Sequence, residues 1–430
     1  MFDRHGQTGR KMINARYNNR LIAICLSFGL ASPALADDLS APLSAIVKGP
    51  APTAADPTSP VQFKLTYTGE AWDNRGGAQT VTNYMQSLDG SLSIDADKLG
   101  WRGARFYMEA LTIAGRPLLN DSGALSAPSA IDGLAAVNTF RLYQAYYEQR
   151  IFHTDVLLGI YDPQTQFAST RPMDLFFNRS FAWTTPLTFS GMQAGLNLPL
   201  YPNSELGLRI KHEITDQWSV KLGLLNAQAD NPNAPWNTDV QFNSKWGALA
   251  VGEVDYTPVA RTKIMAGYWA LTGKFTSTDR FNADGTPHQF YGTSGGYLGA
   301  ATRVYTIDGG RGIDLFANYG FAANSDVNPV NQSLSAGMTV TGLFESRPHD
   351  RLGVAVGYLH ISQDSFFARF PFNGAYEVPI ELTYRAQIAD WLTVQPNIQY
   401  IRNPTIEMTP TKKDSFLFGL HFELSHLFNL

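Results

Sequence analysis

Apolar and polar residues alternate strictly along much of this chain, most sharply in ELTYRAQIADWLTVQPNIQY, Glu381 to Tyr400. Leu382, Tyr384, Ala386 and Ile388 alternate with Glu381, Thr383, Arg385 and Gln387. After the turn-like pair Ala389-Asp390, Leu392, Val394, Ile398 and Tyr400 alternate with Thr393, Gln395, Asn397 and Gln399. Successive side chains of a strand point to opposite faces of a sheet, so a period of two predicts strands with one apolar and one polar face. The pattern recurs at Val61 to Thr68, Glu205 to Lys211, Gln217 to Leu224, Ile313 to Tyr319 and Leu352 to Tyr358, the last with a glycine-rich row at Gly353, Ala355 and Gly357. There are roughly 17 such segments of about ten residues, the length a strand needs to cross a bilayer. Single-chain bacterial barrels use even strand numbers, so 16 is predicted.

Connection lengths alternate as well. Asp216, Thr257 to Arg261 and Ala389-Asp390 mark tight turns, while long segments lie at 115–137, 163–189, 227–245, 272–295, 362–376 and 402–413. Short turns on one rim and long loops on the other are the outer-membrane arrangement. The closing strand carries Phe416, Phe418, Leu420, Phe422, Leu424, Phe428 and Leu430 on one face. The expected fold is therefore all-β: a transmembrane antiparallel β-barrel of about 16 strands with short periplasmic turns and long extracellular loops. Its apolar rows face lipid and its polar rows face a lumen. Closure is required, since each unpaired backbone group in hydrocarbon costs several kcal/mol. Pro396 falls inside a strand on the lipid-facing row, where its missing N–H predicts a bulge or a loosened hydrogen bond.

Composition supports an exported membrane chain. Only 16% of residues are charged, against roughly 25% in an ordinary soluble domain, and 12% are aromatic. Arg16 and Arg20 precede the apolar run Leu21 to Leu30, and Ala34-Leu35-Ala36 supplies a cleavage site, so residues 1–36 are expected to be a signal peptide. Residues 37–60, rich in Pro and Ala, read as a flexible periplasmic segment ahead of a 61–430 barrel domain. Removing residues 1–36 leaves 28 basic and 36 acidic residues, a balance of −8, which disfavours nucleic acid as a partner. It also removes Cys25, the one cysteine, and with it any disulfide or thiol chemistry. GTSGG, Gly292 to Gly296, formally matches a nucleophile elbow, but it is read as a Gly-rich loop without the strand–turn–helix setting that motif needs. No zinc-type histidine spacing and no phosphate-binding loop is found, so neither metal nor cofactor is expected.

Three stretches together resemble the OprB-type carbohydrate-selective porins: LGWRGARFYMEAL (Leu99 to Leu111), YPNSELGLRIKHEITDQWSVKLGLLN (Tyr201 to Asn226) and IELTYRAQIADWLTVQPNIQYIRNP (Ile380 to Pro404). The resemblance covers about residues 61 to 430. Thr405, where Gly commonly follows the N-P pair, and the final Leu430 depart from it, and neither is expected to touch the lumen. The resemblance implies a 16-stranded porin of a Gram-negative outer membrane, passing mono- and oligosaccharides passively. Sugars in transit and outer-membrane lipid are the expected partners, with a homo-oligomer left open. The alternatives are a general diffusion porin without sugar preference and an outer-membrane barrel enzyme.

A sugar passes a protein by hydrogen-bonding through its hydroxyls and stacking its C–H face on rings, each contact weak enough to release it. The segment 167–186 has that mixture, with Arg171, Asp174, Arg179 and Trp183 the candidates, and it is read either as an inward constriction or as a segment that caps the barrel outside or packs against other loops. On the wall, Arg105 and Glu109 share a face, as do Arg209 and Lys211, while Arg141, Tyr143 and Tyr147 form another row and Glu381 matches Arg385 in parity. Mixed charge in such a lumen favours a neutral solute over an anion.

Overall fold

The computed structural model describes residues 59–132, 139–191, 196–229, 240, 245–308, 310–323, 327–362, 375–406 and 413–430. The expected signal peptide and residues 37–58 of the expected flexible segment lie outside these, as does much of the long connections at 227–245, 362–376 and 402–413.

Sixteen antiparallel strands close into a single barrel. The first eight are β1 (Val61–Gly76), β2 (Val81–Asp95), β3 (Ala104–Gly115), β4 (Thr139–Ile151), β5 (Thr154–Tyr161), β6 (Glu205–Glu213), β7 (Trp218–Asn226) and β8 (Ala248–Tyr256). The second eight are β9 (Thr262–Phe281), β10 (Pro287–Thr306), β11 (Gly312–Ala322), β12 (Val330–Thr341), β13 (Arg351–Ile361), β14 (Tyr376–Ala389), β15 (Leu392–Arg402) and β16 (Ser415–Asn429). Every strand pairs with its neighbours in sequence, and β1 pairs with β16 from Gln62↔Asn429 to Gly76↔Ser415. No edge is left, as a sheet in hydrocarbon requires.

The barrel is inside out relative to a soluble protein. Leu382, Leu420, Leu222 and Leu298 are 44%, 47%, 61% and 58% exposed on the outer face, whereas Glu381 and Gln399 are wholly buried. The alternation that opened the sequence analysis is thus an outer apolar band and an inner polar wall. Parts of the inner wall are apolar, contrary to a uniformly polar lumen: Met173, Leu175, Phe176 and Phe181 pack against Ala301, Phe316 and Ala355. Chain folded into the bore covers these patches and makes a core of them.

Pro396 loosens the ladder without a bulge. The β14–β15 pairs run Thr383↔Asn397 and then Ala386↔Val394 in unchanged register, so the ladder opens opposite Pro396 and Gln395, and its one register shift lies further on, between Gln387 and Ala389. The β15–β16 ladder continues through Pro396↔Leu420. Segment 272–295 is not a loop. Strands β9 and β10 are 20 residues each and leave only 282–286 as a connection. At about 3.3 Å per residue they reach roughly 65 Å, well past the hydrocarbon, which a fixed strand length of about ten could not anticipate. GTSGG lies within β10, a strand rather than a loop.

Candidate functional site

Among the described residues, two long connections on the long-loop rim fold into the bore, one over 116–132 and one over 162–191 and 196–204. The second contains the predicted segment 167–186, which lies against the inner wall rather than capping the barrel. The first was missed, because nothing in its polar composition distinguishes an inward loop from an outward one.

Wall glutamates fasten both segments. Glu381 on β14 accepts hydrogen bonds from the backbone N–H groups of Phe177 and Asn178, both at 2.9 Å, and from Asn397 Nδ2 at 2.6 Å. Glu377, four residues away along the same face of β14, accepts from the N–H of Leu125 at 2.9 Å and of Ser126 at 2.7 Å. Glu70 on β1 takes the Ser129 hydroxyl and the Ala130 N–H, and Glu253 on β8 takes the Ala168 N–H. Inward-folded backbone has N–H groups with no sheet partner, and a buried carboxylate satisfies several of them with charge-assisted bonds. Thr405 takes part too, donating its N–H to Glu377 at 2.9 Å. The expectation that it lies away from the lumen is overturned, since the chain after Pro404 turns back into the bore.

Glycines clear the wall beneath the second segment. A Cβ at Gly353 would lie 2.6 Å from Leu175 Cδ2, and one at Gly320 would lie 2.7 Å from Thr184 Oγ1. The glycine-rich row on β13 is therefore a seat for the segment.

Between the two segments and the β14–β16 wall lies a cavity of ≈ 960 Å³, part of it open to solvent. Phe176, Phe177, Trp183 and Tyr201 give it aromatic faces, and Arg179, Arg385, Asp162, Asp174 and Glu423 give it charge of both signs. Arg179 lies over the Tyr201 ring at 4.7 Å and donates to the Ala130 carbonyl at 3.0 Å, tying the two segments together. Arg385 pairs with Glu423 at 3.0 Å. Asp162, just past β5, accepts from the Tyr143 hydroxyl and from the Gln164 N–H. Burial pushes its carboxyl up to about 7 against those hydrogen bonds and the nearby Arg179. Asp132 is raised to about 6 for the same reason, partly offset by the Leu119 N–H.

Of the twelve candidates, Tyr143, Asp174, Arg179, Trp183 and Arg385 line this cavity together. Arg141 stands outside that lining, donating to Thr139, Asn203 and the Pro202 carbonyl. Glu381 lies sealed under the second segment. Glu109 is buried with Tyr107 and Gln144. Arg105 and Arg209 share Glu148 towards the short-turn rim. Arg171 lines a separate pocket. Tyr147 is a correction: it packs on Phe106 at 5.0 Å and Trp101 at 5.5 Å on the outer face. The β3–β4 ladder shifts register between Glu109 and Ala110, so Tyr143 and Gln144 are both buried and the parity of β4 flips beyond them. Asp162, Tyr201, Gln395, His421 and Glu423 were missed as lining residues. The parity of His421 and Glu423 placed them inside, but only the inward segments show which stretch of wall stays uncovered.

Comparison with known proteins shows the family and the fold. Residues 80–425 match the family model described as carbohydrate-selective porin, OprB family. Porin B of Pseudomonas aeruginosa is 27% identical over 385 residues, spanning 80% of this chain and 83% of that protein. The putative porin QuiX of Acinetobacter baylyi is 24% identical over 400 residues, spanning 85% and 89%. The high-pH structure of Pseudomonas putida OprB superposes with a TM-score of 0.74 at 24% identity, covering 86% of this chain and 94% of that one. Salmonella typhi OmpF superposes at 0.54 with 12% identity, covering 86% and 99%. These structural likenesses establish the fold.

Proposed function

The chain belongs to the carbohydrate-selective porin, OprB family, and on that premise we propose that the cavity between its two inward segments is the route by which sugars cross. The protein is a passive diffusion channel for carbohydrates in a Gram-negative outer membrane, and its fold and family are those of a channel rather than an enzyme. The single observation that supports this route is the cavity's lining, which interleaves aromatic faces with charged groups of both signs along uncovered wall. A pyranose has the complementary surface, with apolar C–H faces and a belt of hydroxyls.

In this reading Trp183 and Tyr201 are stacking platforms, while Arg179, Arg385 and Asp174 exchange hydrogen bonds with sugar hydroxyls in turn. Water can replace each of those bonds at little cost, so passage needs no energy source. Residues 1–36 as a removed signal peptide and 37–60 as a periplasmic tail belong to the same proposal, as does lipid contact along the outer band.

Liposome swelling with glucose, a disaccharide and an amino acid of matched size tests the reading. Glucose is expected to enter faster than the amino acid, and Trp183→Ala is expected to narrow that difference several-fold while leaving salt conductance intact. Equal entry of matched solutes in the unaltered chain would leave a general porin.

A further inference from the structure

We propose that His421 is a positioning residue of the route, standing as an imidazolium between Glu70 and Glu423 and so fitting the route to neutral solutes over cations. The inference rests on the channel reading above.

His421 lines the main cavity from β16, directly across from Glu70 on β1 and Gln395 on β15. Its Nδ1 lies 3.0 Å from Glu70 Oε1, and its Nε2 lies 3.5 Å from Glu423 Oε1. The Phe177 ring of the second inward segment covers it, with ring centroids 4.7 Å apart. Glu70 is at once the acceptor for Ser129 and Ala130 of the first segment and for Trp72 Nε1 at 2.9 Å. Glu423 holds Arg385 Nη2 at 3.0 Å. One imidazole therefore joins both inward segments to the ion pair on the uncovered wall.

These two contacts fix the protonation of the ring. An ionised carboxylate only accepts, and a neutral imidazole has one N–H and one lone pair, so a neutral ring would turn its lone pair on one of the two glutamates. Only the doubly protonated ring suits both. Glu70 and Glu423 then stand against His421 and Arg385, two negative charges against two positive. Loss of the ring proton leaves that set one negative charge in excess beside the route. Other ionisable groups surround it: Lys64 of β1 acts on Glu423, while Glu381 of β14 and Asp132 of the first segment act on Glu70. Arg179 of the second segment faces Asp132, and Asp162, Asp174, Tyr143 and Tyr201 share the cavity. From β15 the facing residue is the uncharged Gln395. A neutral sugar gains nothing from a net charge on this wall, whereas an uncompensated carboxylate would draw cations into the space the sugar needs.

The test is the reversal potential of the full chain in planar bilayers under a KCl gradient, titrated from pH ~5 to pH ~11 so as to span the loss of a histidine proton. Raising the pH is expected to increase the preference for potassium over chloride in one step of roughly five-fold, the scale of one unit charge a few ångströms away in water. His421→Gln, which carries no charge at any pH, is expected to show the raised preference already at the acid end and to lack the step. His421→Arg, charged throughout, is expected to keep the acid-end selectivity of the unaltered chain across the same range. The aspartates and tyrosines around the cavity titrate in all three chains and cancel in the differences between them. A missing step in the unaltered chain overturns the assignment without any variant having to fold. An equal step in His421→Gln or in His421→Arg overturns it as well. Glucose entry into liposomes through the unaltered chain reports separately on the channel reading.

Discussion

Replacing Glu381 by alanine is expected to raise the single-channel current several-fold and to blunt discrimination between glucose and a disaccharide. Glu381 is wholly buried and accepts the Phe177 and Asn178 N–H groups and the Asn397 amide. Its removal strands three donors in a buried site, each unsatisfied group costing about 1–3 kcal/mol. The sixteen-stranded ladder does not depend on it, so the cost falls on the inward segment. Gln395 Nε2 on the Leu175 carbonyl at 2.8 Å and the Arg179 N–H on the Ser126 carbonyl at 3.1 Å still hold the segment on either side. The segment should therefore swing away from the wall at 177–178 rather than leave the bore. Glu381→Gln, which keeps an acceptor, should lie between. Planar-bilayer conductance with liposome swelling reads both effects; an unchanged current in Glu381→Ala would mean that the segment does not set the bore.

Gly353→Leu should act in the opposite direction. A Cβ there already approaches Leu175 Cδ2 to 2.6 Å and Phe176 Cζ to 2.8 Å. A leucine forces the segment off β13 and towards the cavity that Phe176 lines. Overpacking of this kind costs about 1–3 kcal/mol, too little to open the barrel but enough to shift a loop. Conductance and sugar entry should both fall, while the barrel's resistance to heat in detergent is kept. Gly252→Ala is the control, because its Cβ would meet only Leu222 Cδ2 at 3.5 Å. Opposite signs at Gly353 and Glu381 would distinguish a seated segment from one that merely hangs in the lumen.

The barrel was legible because its rule is local. Leu382 beside Glu381, or Phe418 beside Leu417, states which way each residue faces, and repetition with alternating loop lengths counts the strands. The candidate site was legible only where composition was unusual, as at Arg179 and Trp183. Elsewhere parity misled for identifiable reasons. At Tyr147 a one-residue bulge reverses the faces of β4. At Glu381 parity was right, but the residue is covered by the segment it anchors. Glu377 and Leu125 are 252 positions apart in the chain, yet they are joined by one hydrogen bond of 2.9 Å. No local pattern encodes such a contact.

The facing of the two rows is the physical claim beneath the route, and cysteine accessibility tests it most directly. The chain has one cysteine, Cys25, so a Cys25→Ser background is free of thiols. In that background, a membrane-impermeant charged thiol reagent should lower the current in Arg385→Cys and Trp183→Cys and leave Leu382→Cys and Leu420→Cys untouched. Modification of the leucine positions with silence at 385 and 183 would place water on the apolar rows and contradict the account.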